Sequence, residues 1–210
     1  MFSVANIQAN SGDKVSTWVD AANNNNAIQN NLSSQAIYTD GIFIQGNIPG
    51  LLFENNQEYS VDLSYLVNQK YTVAIVEART TSNHSYIFGN DSSGTNSALH
   101  SGYRGSDSFT FAQFSNDLNT NISAFDNSIE PVLWLISNNS RGKEIYRNGI
   151  LIASNNNTDD LIESNNGRIG SALGNFYQGY LGLIATWVGD KTLVEIDEIN
   201  AAVNSSFGVY

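Results

Sequence analysis

The sequence predicts an all-β fold, a sandwich of two antiparallel sheets with one short C-terminal helix. Most apolar segments are short, rich in β-branched and aromatic residues, and bounded by Gly, Asn, Asp or Ser, which is typical of strands. An Asn-Gly pair separates two such segments, and a single amphipathic helical pattern stands near the end of the chain. The 210 residues contain no linker-like segment, so we interpret residues 1–210 as one domain.

Twelve short strands are predicted along the chain. Tyr71–Arg79 consists largely of β-forming residues, and its centre is expected to be buried on both faces of a sheet. In the predicted strand Ser108–Gln113, side chains alternate between the two faces, which places Phe109 and Phe111 on one face. The predicted strands are Gly41–Gln45, Gly50–Phe53, Tyr59–Leu63, Tyr71–Arg79, Ser85–Phe88, Ala98–Tyr103, Ser108–Gln113, Pro131–Ser137, Lys143–Arg147, Ile150–Ala153, Gly167–Gly170 and Tyr180–Val188.

The pair Asn148-Gly149 lies between two of these strands and predicts a tight hairpin. A two-residue Asn-Gly loop favours a type I′ turn, whose twist matches that of the flanking strands. A β-branched residue in place of Gly149 would resist the positive φ that this turn requires. This hairpin is the strongest local prediction that the sequence supports.

The helix is predicted from Thr192 onward. Thr192-Leu-Val-Glu195 has the pattern of a capping box, in which two side chains satisfy the free N–H groups at the helix start. An apolar stripe follows at spacings of three and four residues, and Gly208 is expected to end the helix. The stripe is formed by Leu193, Ile196, Ile199 and Val203, and we expect it to pack on a sheet.

Composition excludes several kinds of partner. Nine basic residues stand against 20 acidic ones, a formal net charge of −11, so neither nucleic acid nor an anionic membrane is an expected partner. The chain has no cysteine, which excludes disulfides and thiolate chemistry.

Met1–Gln8 has neither a basic start nor an apolar run, so we expect no secretory signal. The 30 asparagines predict many turns and an amide-rich surface.

Three features occur in an order that matches a known family. Val15–Asp20 has the form V-x-x-W-x-D and precedes an Asn-rich loop; Glu144–Ala153 contains a Tyr ahead of Asn-Gly; and Arg168–Gly170 precedes Phe176–Ala185 and the helical stripe. Taken together, these motifs resemble the concanavalin A-like, laminin-G-type jelly roll of bacterial and phage proteins, over nearly the whole chain. The resemblance implies a two-sheet jelly-roll sandwich. It also implies a carbohydrate-binding or adhesive role more often than catalysis, by analogy of fold.

One segment carries the residue types that sugar recognition requires. Sugars are bound by an aromatic face together with planar polar groups that pair with hydroxyls. Within a short span the chain supplies His100, Tyr103, Arg104, Asn116 and Asp117, which we predict to form a carbohydrate-binding site. The alternative is structural: Tyr103 would pack in the sheet, and Arg104 would pair with Asp107 or Asp117 across a hairpin.

Catalytic patterns are weak. A retaining glycosidase requires two carboxylates about 5–5.5 Å apart, and on a strand these would lie at positions i and i+2. The nearest acidic group, Glu195, Asp197 and Glu198, lies inside the predicted helix, and Glu77 is alone on its strand. We therefore predict that the protein is not an enzyme.

No metal or other cofactor is predicted, with calcium left as an open alternative. The two histidines, His84 and His100, have no spacing typical of zinc ligands. Asp91–Asn96 is rich in oxygen ligands but lacks the terminal bidentate Glu and the flanking helices of a calcium EF-hand. Asp117-Leu-Asn119 and Asp159-Asp160 are further candidates for a hard cation.

The functional prediction is a non-catalytic, lectin-like protein on the surface of a virion, as a capsid decoration or a tail component. Its expected partners are a host surface polysaccharide or other virion subunits, and self-association into a homo-oligomer is left open. The alternatives are an extracellular, secreted carbohydrate-binding or adhesion module and, disfavoured, a glycoside hydrolase.

Overall fold

The computed structural model describes residues 1–43 and 48–210. Within these residues the protein consists of two antiparallel sheets and one α-helix. The predicted all-β sandwich with a C-terminal helix is confirmed. Within these residues the strands are β1 (Phe2–Ser3), β2 (Thr17–Trp18), β3 (Ala27–Ile28), β4 (Ile37–Phe43), β5 (Ile48–Phe53), β6 (Tyr59–Ser60), β7 (Tyr71–Arg79), β8 (Ser85–Asn90), β9 (Leu99–Tyr103), β10 (Ser108–Gln113), β11 (Leu118–Asn121), β12 (Val132–Asn139), β13 (Gly142–Arg147), β14 (Ile150–Ser154), β15 (Gly167–Ile169), β16 (Ser171–Ala172), β17 (Asn175–Phe176) and β18 (Gly179–Val188).

In both sheets, many neighbouring strands come from distant parts of the sequence. The first sheet runs β14-β13-β12-β7-β18-β5-β4, with β1 paired to β18. The second sheet runs β11-β10-β9-β8-β15-β6-β3-β2, with β16 and β17 attached beside β8. No helix in the described ranges is both long and apolar enough to cross a membrane.

The core lies between the sheets and is rich in aromatic rings. Trp134 of β12 stacks on Phe109 of β10, with ring centroids 3.8 Å apart and only 8° between the planes. Strand β7 is buried along all but its last residue, which confirms the expectation that its centre is covered on both faces. Truncation of a buried aromatic residue of this kind costs about 3–5 kcal/mol of stability.

The helix α1 (Leu193–Phe207) covers the outer face of the first sheet. Its capping box is present: the Thr192 hydroxyl accepts from the Glu195 N–H at 3.3 Å, and the Glu195 carboxylate accepts from the Thr192 N–H at 2.8 Å. Ile196 packs with Leu135 and Tyr146 on the sheet, whereas Leu193 is 55% exposed. The apolar stripe therefore begins one turn later than predicted.

Several strand boundaries differ from the prediction. The segment Tyr59–Leu63 is a strand only over its first two residues, because the Asp62 side chain accepts from the Ser64 N–H at 2.8 Å and starts a 3₁₀ turn. Strand β4 begins at Ile37, earlier than predicted. Its predicted end, at residues 44–45, lies outside the described residues. Strand β11 and the short strands β1, β2, β3, β16 and β17 were not predicted.

Candidate functional site

A pocket on the outer face of the second sheet contains three of the five residues predicted to bind sugar. Strand β9 places His100 there, Arg104 follows the same strand, and Asp117 comes from the loop after β10. The pocket has a volume of about 570 Å³, within the usual range for ligand sites. We call it the histidine pocket; its lining residues are His84, Tyr86, His100, Arg104, Phe114, Ser115, Asp117, Leu173 and Asn175.

Arg104 lies between His100 and Asp117 and bonds to both. Its Nη2 donates to Asp117 Oδ2 at 2.5 Å and contacts His100 Nε2 at 2.9 Å. Because a guanidinium has no acceptor, His100 Nε2 must be the lone-pair nitrogen, and the proton lies on Nδ1, 2.9 Å from the Ala98 carbonyl oxygen. Burial lowers the pKa of His100 from its ordinary value of 6.5, which agrees with this neutral form.

Aromatic rings form the floor and one wall of the pocket. The ring of Tyr86 lies between two imidazoles, with centroids 4.8 Å from His84 and 4.8 Å from His100. Tyr86 is itself buried, so it supports the histidines and presents little surface to a ligand. Phe114 is 42% exposed on the rim and offers the accessible ring of the pocket.

Backbone strain is concentrated around the same pocket. Nine non-glycine residues in the described ranges have positive φ, and six of them are asparagine, which tolerates this conformation. The other three are Phe114 at +48°, Ser115 at +62° and Leu173 at +50°, and all three line the histidine pocket. Such residues cost about 1–3 kcal/mol each and occur preferentially at functional sites.

Tyr103 was predicted to contact sugar, but the structure places it in the core. It is 1% exposed, and its ring packs edge-on against Phe109 and Trp134. Its hydroxyl donates to the carboxylate of Glu77, which also accepts from Trp134 Nε1 at 3.0 Å and from Tyr177 Oη at 2.6 Å. Tyr103 therefore faces away from the histidine pocket, and the structural alternative holds for its side chain.

Asn116 lies beside the pocket in a separate polar cluster. Its Nδ2 donates to Asn96 Oδ1 and, at 3.0 Å, to Asp159 Oδ2. Asp159 also accepts from Asn157 Nδ2 at 3.2 Å, so this carboxylate is surrounded by carboxamides. Of the five predicted site residues, the structure thus brings together His100, Arg104 and Asp117, and their role in ligand binding stays a prediction.

Two of the candidate calcium segments meet, because Asn96 Nδ2 donates to Asp159 Oδ2 at 3.4 Å, but they bring only one carboxylate to that point. Across residues 1–43 and 48–210, no three His, Asp or Glu side chains are grouped in a way that could hold a metal ion. Asp91 accepts from the Leu173 N–H at 2.8 Å, Asp117 pairs with Arg104, and Asp160 pairs with Lys70 Nζ at 2.6 Å. These carboxylates take part in local contacts, and calcium stays an open alternative.

Sequence reasoning missed part of the pocket. His84 and Tyr86 are two residues apart at the start of β8, so alternation alone would have put them on one face. Leu173 lies in the turn between β16 and β17, and Asn175 begins β17. Both are far in sequence from the rest of the pocket, and no local pattern connects them with it.

Comparison with solved structures places this fold among jelly-roll sandwiches. It is similar to domain 4 of AbnA, a GH43 extracellular arabinanase from Geobacillus stearothermophilus solved with arabinotriose, with a TM-score of 0.60 and 14% identity over 79% of this chain and 81% of that one. The CBM40 of the Ruminococcus gnavus IT-sialidase, bound to α2,3 sialyllactose, gives a TM-score of 0.55 and 12% identity over 72% of this chain and 95% of that one.

Trypanosoma rangeli sialidase matches with a TM-score of 0.61 and 11% identity over 97% of this chain, which spans about a third (32%) of that enzyme. No protein-family model and no curated protein matches the chain. At these identities the similarity shows a shared fold alone. The protein has a two-sheet jelly-roll β-sandwich fold, which is consistent with the concanavalin-like sandwich that the sequence motifs predicted, and the finer resemblance to phage members stays a prediction.

Proposed function

We propose that this protein is a non-catalytic carbohydrate-binding protein and that the histidine pocket holds one sugar unit. The observation that carries the proposal is the clustering of Phe114, Ser115 and Leu173, the strained residues that are not asparagine, around a single pocket. Binding of sugars by similar sandwiches, such as the arabinanase domain solved with arabinotriose, supports the same class of ligand.

The chemistry of the pocket fits a sugar ring. Phe114 presents an exposed ring for the apolar face of a pyranose. The Arg104 side chain is 30% exposed, so its free donors are available to hydroxyl groups. In the described residues Asp117 Oδ1 is buried without a hydrogen-bond partner, and Asn175 lines the same pocket. A few planar polar groups around one aromatic face would fix the orientation of the sugar.

The positions of the acidic residues support a non-catalytic role. Glu77 is buried between the sheets with three hydrogen-bond donors. Glu195 belongs to the capping box on the outer face of the other sheet, and Asp197 lies two residues further along the same helix. Neither approaches the histidine pocket, where Asp117 is ion-paired with Arg104.

A glycan array with labelled protein tests the proposal. Arg104→Ala and Phe114→Ala should each weaken binding about tenfold, a loss of about 1.4 kcal/mol, because they remove a hydrogen-bonding fork and the accessible ring. Ser115→Gly should also weaken binding without loss of fold, since glycine would release the strained loop.

Arg141→Ala is the matched control, because Arg141 is also partly exposed and paired with a carboxylate, Glu144, but lies on the other sheet. Its binding should equal that of the unmodified protein. Tyr103→Ala is unsuitable as a test because Tyr103 belongs to the core. Absence of binding to every glycan, or equal binding by all variants, would contradict the proposal.

We further propose that this binding protein belongs to a virion surface, in a capsid-decoration or tail position, with a secreted adhesion module as the alternative. The ordered motifs that resemble phage members and the acidic composition, with a net charge of −11, support this placement. Immunogold labelling of purified particles tests it. Label on intact particles would support the proposal, and label confined to the culture medium would favour the secreted alternative.

A further inference from the structure

Two arginines lack a carboxylate partner although the chain is strongly acidic. Within the described parts of the chain, Arg104, Arg141 and Arg168 form ion pairs, whereas Arg79 and Arg147 form none within 4.0 Å. With 20 acidic residues against nine basic ones, partners are abundant. Glu77 and Asp126 act on Arg79 only at longer range, and a half-buried arginine with no carboxylate in direct contact is unusual here, because a desolvated charge is costly unless it is closely paired.

Both arginines line the same cavity, at one end of the sandwich. Arg79 is the last residue of β7, and Arg147 is the last residue of β13. The cavity between them and the 122–130 segment has a volume of about 80 Å³, which is enough for several water molecules or one small planar anion. It shares no lining residue with the histidine pocket, which lies on the outer face of the second sheet.

The guanidinium groups are held in place and still have free donors. Arg79 Cζ lies 4.3 Å from the centroid of the Tyr103 ring, and its Nη2 donates to the Ser106 carbonyl oxygen at 2.8 Å. Arg147 Cζ lies 5.8 Å from the centroid of the Trp134 ring. Arg79 Nη1 and Arg147 Nε are buried and have no acceptor among residues 1–43 and 48–210. A buried N–H without a partner costs about 1–3 kcal/mol.

We propose that Arg79 and Arg147 form a second binding site, for the carboxylate group of an acidic ligand such as a uronic acid. A carboxylate matches the planar fork of a guanidinium, and it would supply both the missing charge and the missing acceptors. The aromatic rings around the two arginines fix their planes, so little rotamer entropy would be lost on binding. Ser123 and Ser128 on the cavity wall offer further hydroxyl groups.

Two acidic residues on the wall, Asp126 and Glu130, oppose an anion and provide a sharp test. Asp126 is exposed and accepts from the Ser128 N–H at 2.9 Å. If the site takes a carboxylate, removal of these negative charges should tighten binding. Unchanged affinity after their removal would mean that the added carboxylate does not bind near these residues, and it would contradict the proposal.

The experiment follows the side-chain Nε–Hε signals of ¹⁵N-labelled protein by NMR, with glucuronate as the probe and glucose as its neutral counterpart, at constant ionic strength. Glucuronate should shift the Arg147 signal to saturation, and glucose should not. Arg147→Gln should weaken glucuronate affinity at least tenfold, as judged from the Arg79 signal. Arg147→Lys, which keeps the charge but loses the fork, should give a smaller loss. Asp126→Asn combined with Glu130→Gln should tighten binding at least twofold.

Arg141→Gln is the control and should leave the affinity unchanged. Thermal melts of each variant show whether the fold is intact, and the Arg147→Lys and Asp126→Asn variants keep the test decisive if Arg147→Gln does not fold. Absence of a saturable shift overturns the proposal, as does equal binding of inorganic sulfate, which would indicate a general anion site. The result is independent of the histidine pocket, because Arg104→Ala should not affect glucuronate binding here.

Discussion

His100 combines a buried imidazole with a cationic neighbour, and this pairing sets its response to pH. Arg104 donates to Nε2, so protonation of that nitrogen would break the contact and bring two positive charges together. Asp117 on the far side of Arg104 and His84 beyond Tyr86 are the other charged or titratable groups of this pocket. Burial, the largest influence, holds the pKa of His100 below its ordinary 6.5.

The consequence for stability has a definite sign. Above about pH 6.5 the residue is neutral in both the folded and the unfolded state; as pH falls, the unfolded state takes up a proton first, so the free energy of unfolding decreases. Urea denaturation of the unmodified protein and of His100→Gln, at about pH 7.5 and about pH 5.5, measures this effect. The unmodified protein should lose more stability on acidification than the variant. Parallel losses would show that His100 does not contribute.

The alternation of side chains between the two faces of a strand explains which site residues could be predicted. His100 and Arg104 are four positions apart and share a face, whereas Tyr103, three positions from His100, must point to the opposite side of the sheet. The prediction grouped these residues because they are close in sequence. It therefore placed Arg104 correctly in the pocket and Tyr103 wrongly. The contact between Arg104 and Asp117 was foreseen as the structural alternative, because both flank one hairpin.

At the scale of elements, local signals were reliable and tertiary pairings were not. The hairpin at Asn148-Gly149 and the capping box at Thr192 are present because each is specified within a few residues: φ is +51° at Asn148 and +77° at Gly149, as a type I′ turn requires. The two-residue strands β2 and β3 pair with each other, and β3 joins the sheet through the distant strand β6, whereas β16 forms a tight hairpin with β17 that pairs with β8. No pattern of so few residues could predict them.

The hairpin turn gives a quantitative prediction. A side chain at Gly149 would suffer from the positive φ, and its Cβ would lie 2.7 Å from Tyr210 Oη. Gly149→Val should therefore lower the free energy of unfolding by about 2 kcal/mol or more, measured by urea denaturation. Gly174→Val is the matched control: φ is +71° there, but no atom of the described residues lies within 4 Å of the added Cβ. Its cost should be smaller, and equal costs would mean that the contact with Tyr210 is irrelevant.

The whole molecule combines a large negative net charge, which repels other copies, with an exposed apolar sheet edge. The net charge of −11 keeps copies apart at low ionic strength. Yet β14, the last strand of the first sheet in the described residues, presents Ile150, Leu151 and Ile152 with exposures of 67%, 47% and 36%. An apolar edge with unpaired backbone groups is a template for pairing with another strand. If the protein forms a homo-oligomer, we expect the edge of β14 to be the contact between copies.

Sedimentation analysis at low and high salt tests this edge. Self-association should increase with salt, because ions screen the repulsion between acidic copies while leaving the apolar contact intact. The double variant Ile150→Lys with Ile152→Lys should be monomeric even though its added positive charges reduce that repulsion. The control, Leu32→Lys with Val194→Lys, adds the same two charges at exposed apolar residues, 65% and 66%, away from β14. If this control dissociates equally, or if the unmodified protein is monomeric at every salt concentration, the edge of β14 does not mediate assembly.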